Sequence, residues 1–185
     1  MSFQRIVEYY MLQDLDGDSI ERLIGKQPIL YEDLKKYKSL SDLCPRNSNF
    51  QVILYEELEY SGHYVALIVD YDNRIVNFFD SYGLYPDKEN QYLAYNNKLP
   101  RYLTNLLQSS GFTIVFNKID YQSKKNTKVS TCGRWSCCRI LLKHLTNEQF
   151  EKIFIGNKNG WLTPDIIVTC ISLLGLNDFN NFFLK

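Results

Sequence analysis

Five cysteines and two histidines carry most of the nucleophilic and proton-transferring capacity of this 185-residue chain. Among the cysteines, Cys132 occupies the setting best suited to a reactive thiol. It stands where a long polar stretch, Asp120 to Thr131, gives way to CGRWSCCRILLKHL, a run with a continuous apolar face through Trp135, Cys138, Ile140, Leu141 and Leu145. A thiol at the entry to a helix meets unpaired first-turn N–H groups and the positive end of the helix dipole, and both favour the thiolate. The amides around Cys132 can also donate to a developing oxyanion. Gly133 beside it leaves space for a substrate backbone to approach. Cys137, Cys138 and Cys170 fall within apolar helical runs, where a cysteine is a small packing residue, and Cys44 reads as structural.

A thiolate nucleophile needs a base within hydrogen-bond reach. His144 lies at the far end of the helix that begins at Cys132, where its expected role is an interaction with the helix C-terminus. His63 is the remaining partner. It follows Ser61-Gly62 at the start of an apolar, β-branched run that reads as a strand. The base in turn needs a carboxylate to orient it. Asp80 ends the next strand, in NFFDSYG, and a hairpin turning at Asp72-Asn73 brings the start of one strand and the end of the other to the same sheet edge. Asp70 is the rival, but it falls beside the turn. Without His63, Asp80 would read as a cap before Ser81-Tyr82-Gly83.

The elements that must position these groups can be read around them. DGDSIERLIG has the form of a short helix with Asp18 or Ser19 as N-cap. The Asp14, Asp16, Asp18 series is not a calcium loop, since its glycine is misplaced and Gly25 stands where the terminal Glu is required. YEDLKKYKSLSDL reads as a second helix ended by Pro45. FQVILYEE, HYVALIVDY and RIVNFFDSY are strands, LPRYLTNLLQSSG is a helix stopped by Gly111, and FTIVFNKI is a fourth strand. Ser130 or Thr131 can cap the helix of Cys132. NEQFEKIFIG and TPDIIVTCISLLG follow as helices, the latter with Thr163 as cap and Pro164 at the first helical position. The pattern predicts one α+β domain over residues 1–185, with a small mixed or antiparallel sheet flanked by helices.

Composition narrows the function classes. Hydrophobic residues make up 45% and charged residues 23%, which suits a soluble globular domain, and 14 Tyr with 11 Phe predict an aromatic-rich core. The 21 basic and 21 acidic residues cancel, so no net field favours sequence-independent nucleic-acid binding. The cluster Lys124, Lys125, Lys128 reads as a solvated loop. The charged N-terminus does not form a signal peptide and IIVTCISLLGL is too short to span a bilayer, so neither secretion nor a membrane span is expected. An odd cysteine count with an adjacent pair argues against a disulfide framework and for a reducing compartment. No CxxC spacing or histidine cluster suggests a metal, and no cofactor is expected.

GHYVALIVD, FFDSYG and STCGRW together resemble the adenain-like and SUMO-protease-like cysteine peptidases, over a stretch from about Asp18 to Leu145. That resemblance implies a papain-like fold and a Cys-His-Asp set of Cys132, His63 and Asp80. Tyr64 stands where the family carries an aromatic, commonly Trp, which packs under the catalytic groups. The family's oxyanion Gln corresponds to Gln122, although ten residues before Cys132 is longer than the usual gap, and Asn126 is the alternative amide donor. Thr131 replaces the Asp that often precedes the nucleophile in cellular members. SIERLIG, YEDL and FFDSYG are further similar to the versions carried by large DNA viruses and virophages. This implies a monomeric thiol endopeptidase that processes capsid precursors at small-residue or Gly-containing sites, in the virion, the host cytoplasm or a virus factory. Whether a peptide or DNA activates it is left open. A ubiquitin- or SUMO-like deconjugase shares the chemistry. An acyltransferase using coenzyme A would need a basic pocket that the sequence does not suggest. The full set of His63, Asp80, Gln122 and Cys132 argues against an inactive structural module.

Overall fold

A computed structural model of the chain describes residues 2–59, 61–88, 100–122, 129–155, 162–175 and 178. Lys124, Lys125, Asn126, Lys128 and Leu99 lie outside the described residues.

The apolar run YVALIV has no polar alternation, which is the signature of a strand buried on both faces. It forms the centre of β3 (Ser61–Asp70), paired antiparallel with β2 (Phe50–Leu58) and with β4 (Ile75–Asp80). Two parallel edge strands complete a five-stranded mixed sheet in chain order, β1 (Ile29–Leu30) beside β2 and β5 (Thr113–Phe116) beside β4. On one face, Ile53, Tyr55, Val65, Leu67, Val76 and Phe78 pack under Tyr31, Leu34 and the helix α4 (Tyr102–Ser109) through Leu103, Leu106 and Leu107. On the other, Val52, Leu54, Tyr64, Ala66, Ile68 and Phe79 meet the helix α5 (Cys132–Leu141). Behind α5 stand α6 (Asn147–Ile155) and α7 (Pro164–Leu174). The expected aromatic core is concentrated here, where Trp135, Tyr121, Phe150 and Phe154 pack edge to face or tilted with centroids 4.6–6.3 Å apart.

Several local expectations are corrected. An amphipathic helix α1 (Phe3–Met11), capped by Ser2 and burying Val7, precedes the first predicted element. The next helix, α2 (Gly17–Ile24), is capped by Asp16 and not by Asp18 or Ser19: Asp16 lies one residue before the helix and accepts from Ser19 N–H at 2.7 Å. The predicted helix over YEDLKKYKSLSDL is two pieces, a 3₁₀ helix at Tyr31–Lys36 and α3 (Leu40–Leu43). Tyr37 adopts extended backbone between them, and Ser39 caps the second piece through Asp42 N–H. β1 was not anticipated, since two residues carry no period. Among the described residues no helix is long and apolar enough to cross a membrane.

Candidate active site

The β3–β4 hairpin places Asp80 opposite Val65, two residues along from His63. Because side chains alternate along a strand, His63 and Asp80 project from the same face. His63 Nε2 lies 2.9 Å from Asp80 Oδ1, and both side chains are buried. The same Oδ1 accepts the backbone N–H of Tyr82 at 2.7 Å, so the turn DSYG closes on its own carboxylate. Asp70, the rival acid, is exposed and binds the turn amides of Asp72 and Asn73. His144 falls in the turn after α5, well away from the Cys132 end.

Cys132 is the first residue of α5, and its Sγ lies 3.8 Å from the carbonyl oxygen of Gly62, next to His63. With Nε2 turned to Asp80, Nδ1 is the ring nitrogen left for the thiol. Burial opposes the imidazolium, but the hydrogen bonds to Asp80 and Cys132 and the charges of both outweigh it, holding His63 well above the ordinary histidine range. A protonated His63 is thus favoured beside the sulfur. All five cysteines are free thiols. Burial raises Cys44 and Cys137 to about 12 and Cys170 to about 11, and lifts Cys138 as well, which suits packing roles.

Gln122 is tied to residues that flank the site. Its Oε1 accepts from Ser81 Oγ at 3.1 Å, while Nε2 donates to Tyr82 Oη and to Val129 O, both at 3.2 Å. Tyr82 stacks on the imidazole of His63, with centroids 4.5 Å apart and the rings within 13° of parallel. Gln122 is therefore linked through Tyr82 to His63, and through Val129 to the segment leading into Cys132. Donation to a substrate oxyanion would exchange one of these two long bonds.

Gly133 and Tyr64 pack against each other. A Cβ on Gly133 would come within 3.1 Å of Leu15 Cβ and 3.3 Å of Tyr64 Cδ2. The space a Cβ would take at Gly133 is filled by the protein itself, so the close approach of α5 to Leu15 and β3 favours glycine here. Tyr64 is buried beneath the start of α5.

Two positioning groups were not found from sequence. Asn117 clamps the main chain of Asp80: its Oδ1 accepts Asp80 N–H at 2.9 Å, and its Nδ2 donates to Asp80 O at 2.6 Å and Ile119 O at 3.0 Å. The buried Asp165, in the first turn of α7, accepts Thr131 Oγ1 at 2.6 Å and Trp135 Nε1 at 2.9 Å through one oxygen. The only sequence signal for either was a polar residue beside an apolar run.

The fold built around these groups is that of the ASFV pS273R protease. The ASFV pS273R protease superposes with a TM-score of 0.50 at 12% identity, over 87% of this chain and 67% of that one. The C-terminal Ulp1 protease domain in complex with Smt3, the yeast ortholog of SUMO, gives a TM-score of 0.40 at 12% identity, over 88% and 77% of the two chains. No protein-family model matches the chain. By sequence the chain belongs to the family of the uncharacterized protein V9 of Sputnik virophage, with which it is 35% identical over 177 residues, 90% of this chain and 98% of that protein.

Proposed function

We propose that the protein is a single-domain cysteine endopeptidase that processes viral structural precursors. The observation that carries this reading is His63, buried between the carboxylate of Asp80 and the thiol of Cys132 at the start of a helix. His63 takes the thiol proton and Cys132 Sγ attacks the scissile carbonyl. The tetrahedral oxyanion is held by amides at the start of α5 and by Gln122, released from Tyr82 or Val129. As the carbon–nitrogen bond breaks, His63 returns the proton to the leaving amine. It then takes a proton from water, which attacks the thioester and frees Cys132. Asp80 keeps the imidazole oriented and stabilises its charged form throughout.

Membership in a virophage family supports a viral substrate, and the resemblance to capsid-maturation enzymes supports precursor cleavage near small residues or glycine. The first test is limiting iodoacetamide on the native protein near neutral pH, followed by mass spectrometry, with wild type beside His63→Ala. Selective alkylation of Cys132, slowed at least tenfold by the substitution, is the expected result. The capsid precursor of the same virus is then the substrate to try. Equal reactivity of Cys132 with and without His63 would refute the reading. Cleavage of a di-Gly-linked modifier but of no capsid protein would replace the substrate with a ubiquitin-like conjugate.

A further inference from the structure

The start of α5 differs from the other helix starts that have a Ser, Thr or Asp in the N-cap position. Ser2, Asp16, Ser39 and Thr163 all cap their helices through the side chain, and all have ψ between 152° and 166°. Thr131 holds the same position before α5 but has ψ 1° and makes no side-chain cap. The difference is not one of residue type, since Thr163 caps α7 by accepting from Ile166 N–H. Thr131 instead donates its hydroxyl to Asp165, and it is fully buried in that arrangement.

A capping hydroxyl bonds the second or third amide of its helix. At α5 these are the amides of Gly133 and Arg134, beside the thiol. A hydroxyl placed there would occupy the donors, and the space in front of them, where an oxyanion forms during acyl transfer. We propose that Asp165 is a positioning residue of the Cys132 site: by binding the Thr131 hydroxyl it keeps the N-terminus of α5 uncapped and open to the oxyanion. Trp135, the second donor to the same carboxylate oxygen, fixes Asp165 against α5. The role of α7 is then to supply this carboxylate as well as to cover the core. The inference rests on the thiol-peptidase reading.

Two reagents separate the oxyanion from the thiol. Iodoacetamide alkylates sulfur with loss of iodide and forms no oxyanion. p-Nitrophenyl acetate requires one: Cys132 Sγ bonds to the acetyl carbon, the ester carbon–oxygen bond breaks, and p-nitrophenolate leaves with the electron pair. The readout is the ratio of acetylation rate to alkylation rate at Cys132, on the full chain. Removing a single oxyanion donor costs about 10²–10³ in rate, so partial occlusion should cost about tenfold. Asp165→Ala is expected to lower the ratio by about that factor, and adding Thr131→Val should restore it to within about threefold, because valine cannot cap. Should Asp165→Ala fail a circular-dichroism test of folding, Asp165→Asn keeps the shape with a weaker acceptor and should lower the ratio by about threefold, again reversed by Thr131→Val. A ratio that Asp165 variants do not move, or a fall that Thr131→Val does not reverse, overturns the inference. Slow alkylation of Cys132 in the wild type would instead overturn the peptidase reading beneath it.

Discussion

Replacing Asp80 with Asn tests whether the carboxylate sets the reactivity of Cys132 through His63. The substitution is nearly isosteric, and Asn Oδ1 can still accept from His63 Nε2 and from Tyr82 N–H, now 2.9 and 2.7 Å away. What changes is the charge on the acceptor. A hydrogen bond to a charged group contributes roughly 1.5–3 kcal/mol and a neutral one roughly 0.5–1.5, so the His63 bond loses about 1–2 kcal/mol. The pair is fully buried, so water does not screen this difference. The loss falls on the imidazolium, which the carboxylate favours more than the neutral ring. A barrier change of about 1.4 kcal/mol is tenfold in rate, so alkylation of Cys132 near neutral pH should slow about tenfold.

The pH profile gives the sharper reading. In the wild type, the proton affinity of His63 is held well above the ordinary histidine range, which lets the neutral ring take the thiol proton and keep it at neutral pH. Asp80→Asn lowers the basicity of His63, so the sulfur loses its internal proton acceptor and must release the proton to solvent. The rise of alkylation rate with pH should therefore move to higher pH, measured by iodoacetamide between about pH 5 and 10. Asp80 Oδ2 is buried without a hydrogen-bond partner among the described residues, and an NH₂ in its place would cost roughly 1–3 kcal/mol of stability. A urea melt measures that cost separately from reactivity. If the two pH profiles superimpose while both proteins are folded, Asp80 does not act through His63 and the electrostatic argument fails.

Asn117→Ala removes all three of the clamp's hydrogen bonds and leaves the main-chain N–H of Asp80 without its partner, while Asp80 O still accepts Gly83 N–H at 2.9 Å. A loss of about 1–3 kcal/mol in urea unfolding is expected, with slower alkylation of Cys132 as Asp80 shifts; an unchanged melt would show that the clamp carries no load. Gly133→Ala would gain up to about 1 kcal/mol of helix propensity but must displace Leu15 and Tyr64. Overpacking of about 1–3 kcal/mol should dominate and lower the unfolding midpoint, whereas a raised midpoint would mean that α5 can slide away from Tyr64 at little cost.

What was legible in the sequence was what depends on near neighbours or on period. The apolar run after His63 fixes a strand buried on both faces, and the turn after Asp70 returns the chain toward Asp80, so that pair could be anticipated from one hairpin. The exact opposition could not: Asp80 faces Val65, and the imidazole reaches it along the strand, an offset that register arithmetic from the turn alone misses. Asp165 and Asn117 were invisible because their partners are 34 and 37 residues away in the chain, and a polar residue beside an apolar run carries no mark of which buried group it will meet. Thr131 is the instructive case. Local rules offer Ser130 or Thr131 as a cap for the helix of Cys132, yet Thr131 makes no cap and its hydroxyl donates to Asp165 instead.

The two halves of the site are held by different amounts of the fold. His63 and Asp80 sit on adjacent strands of one hairpin, stiffened by Tyr82 and Asn117. The residues around Cys132 are instead held by both distant ends of the chain. Ser130 N–H donates to Met11 O at 3.0 Å, and Ser130 Oγ binds Asp14. Arg134 Nη2 donates to Tyr10 O at 3.1 Å, and Nη1 to Ser172 Oγ at 2.6 Å, while Asp165 takes Thr131 and Trp135. Arg134 is buried with no partner for Nε among the described residues, and burial lowers its proton affinity, so this tie is made at a desolvation cost. Loosening α1 or α7 should thus detach Cys132 from a His63–Asp80 pair that stays assembled. Fast alkylation of Cys132 is therefore a reading of the whole fold, whereas the His63–Asp80 hydrogen bond is a reading of the hairpin and its Asn117 clamp.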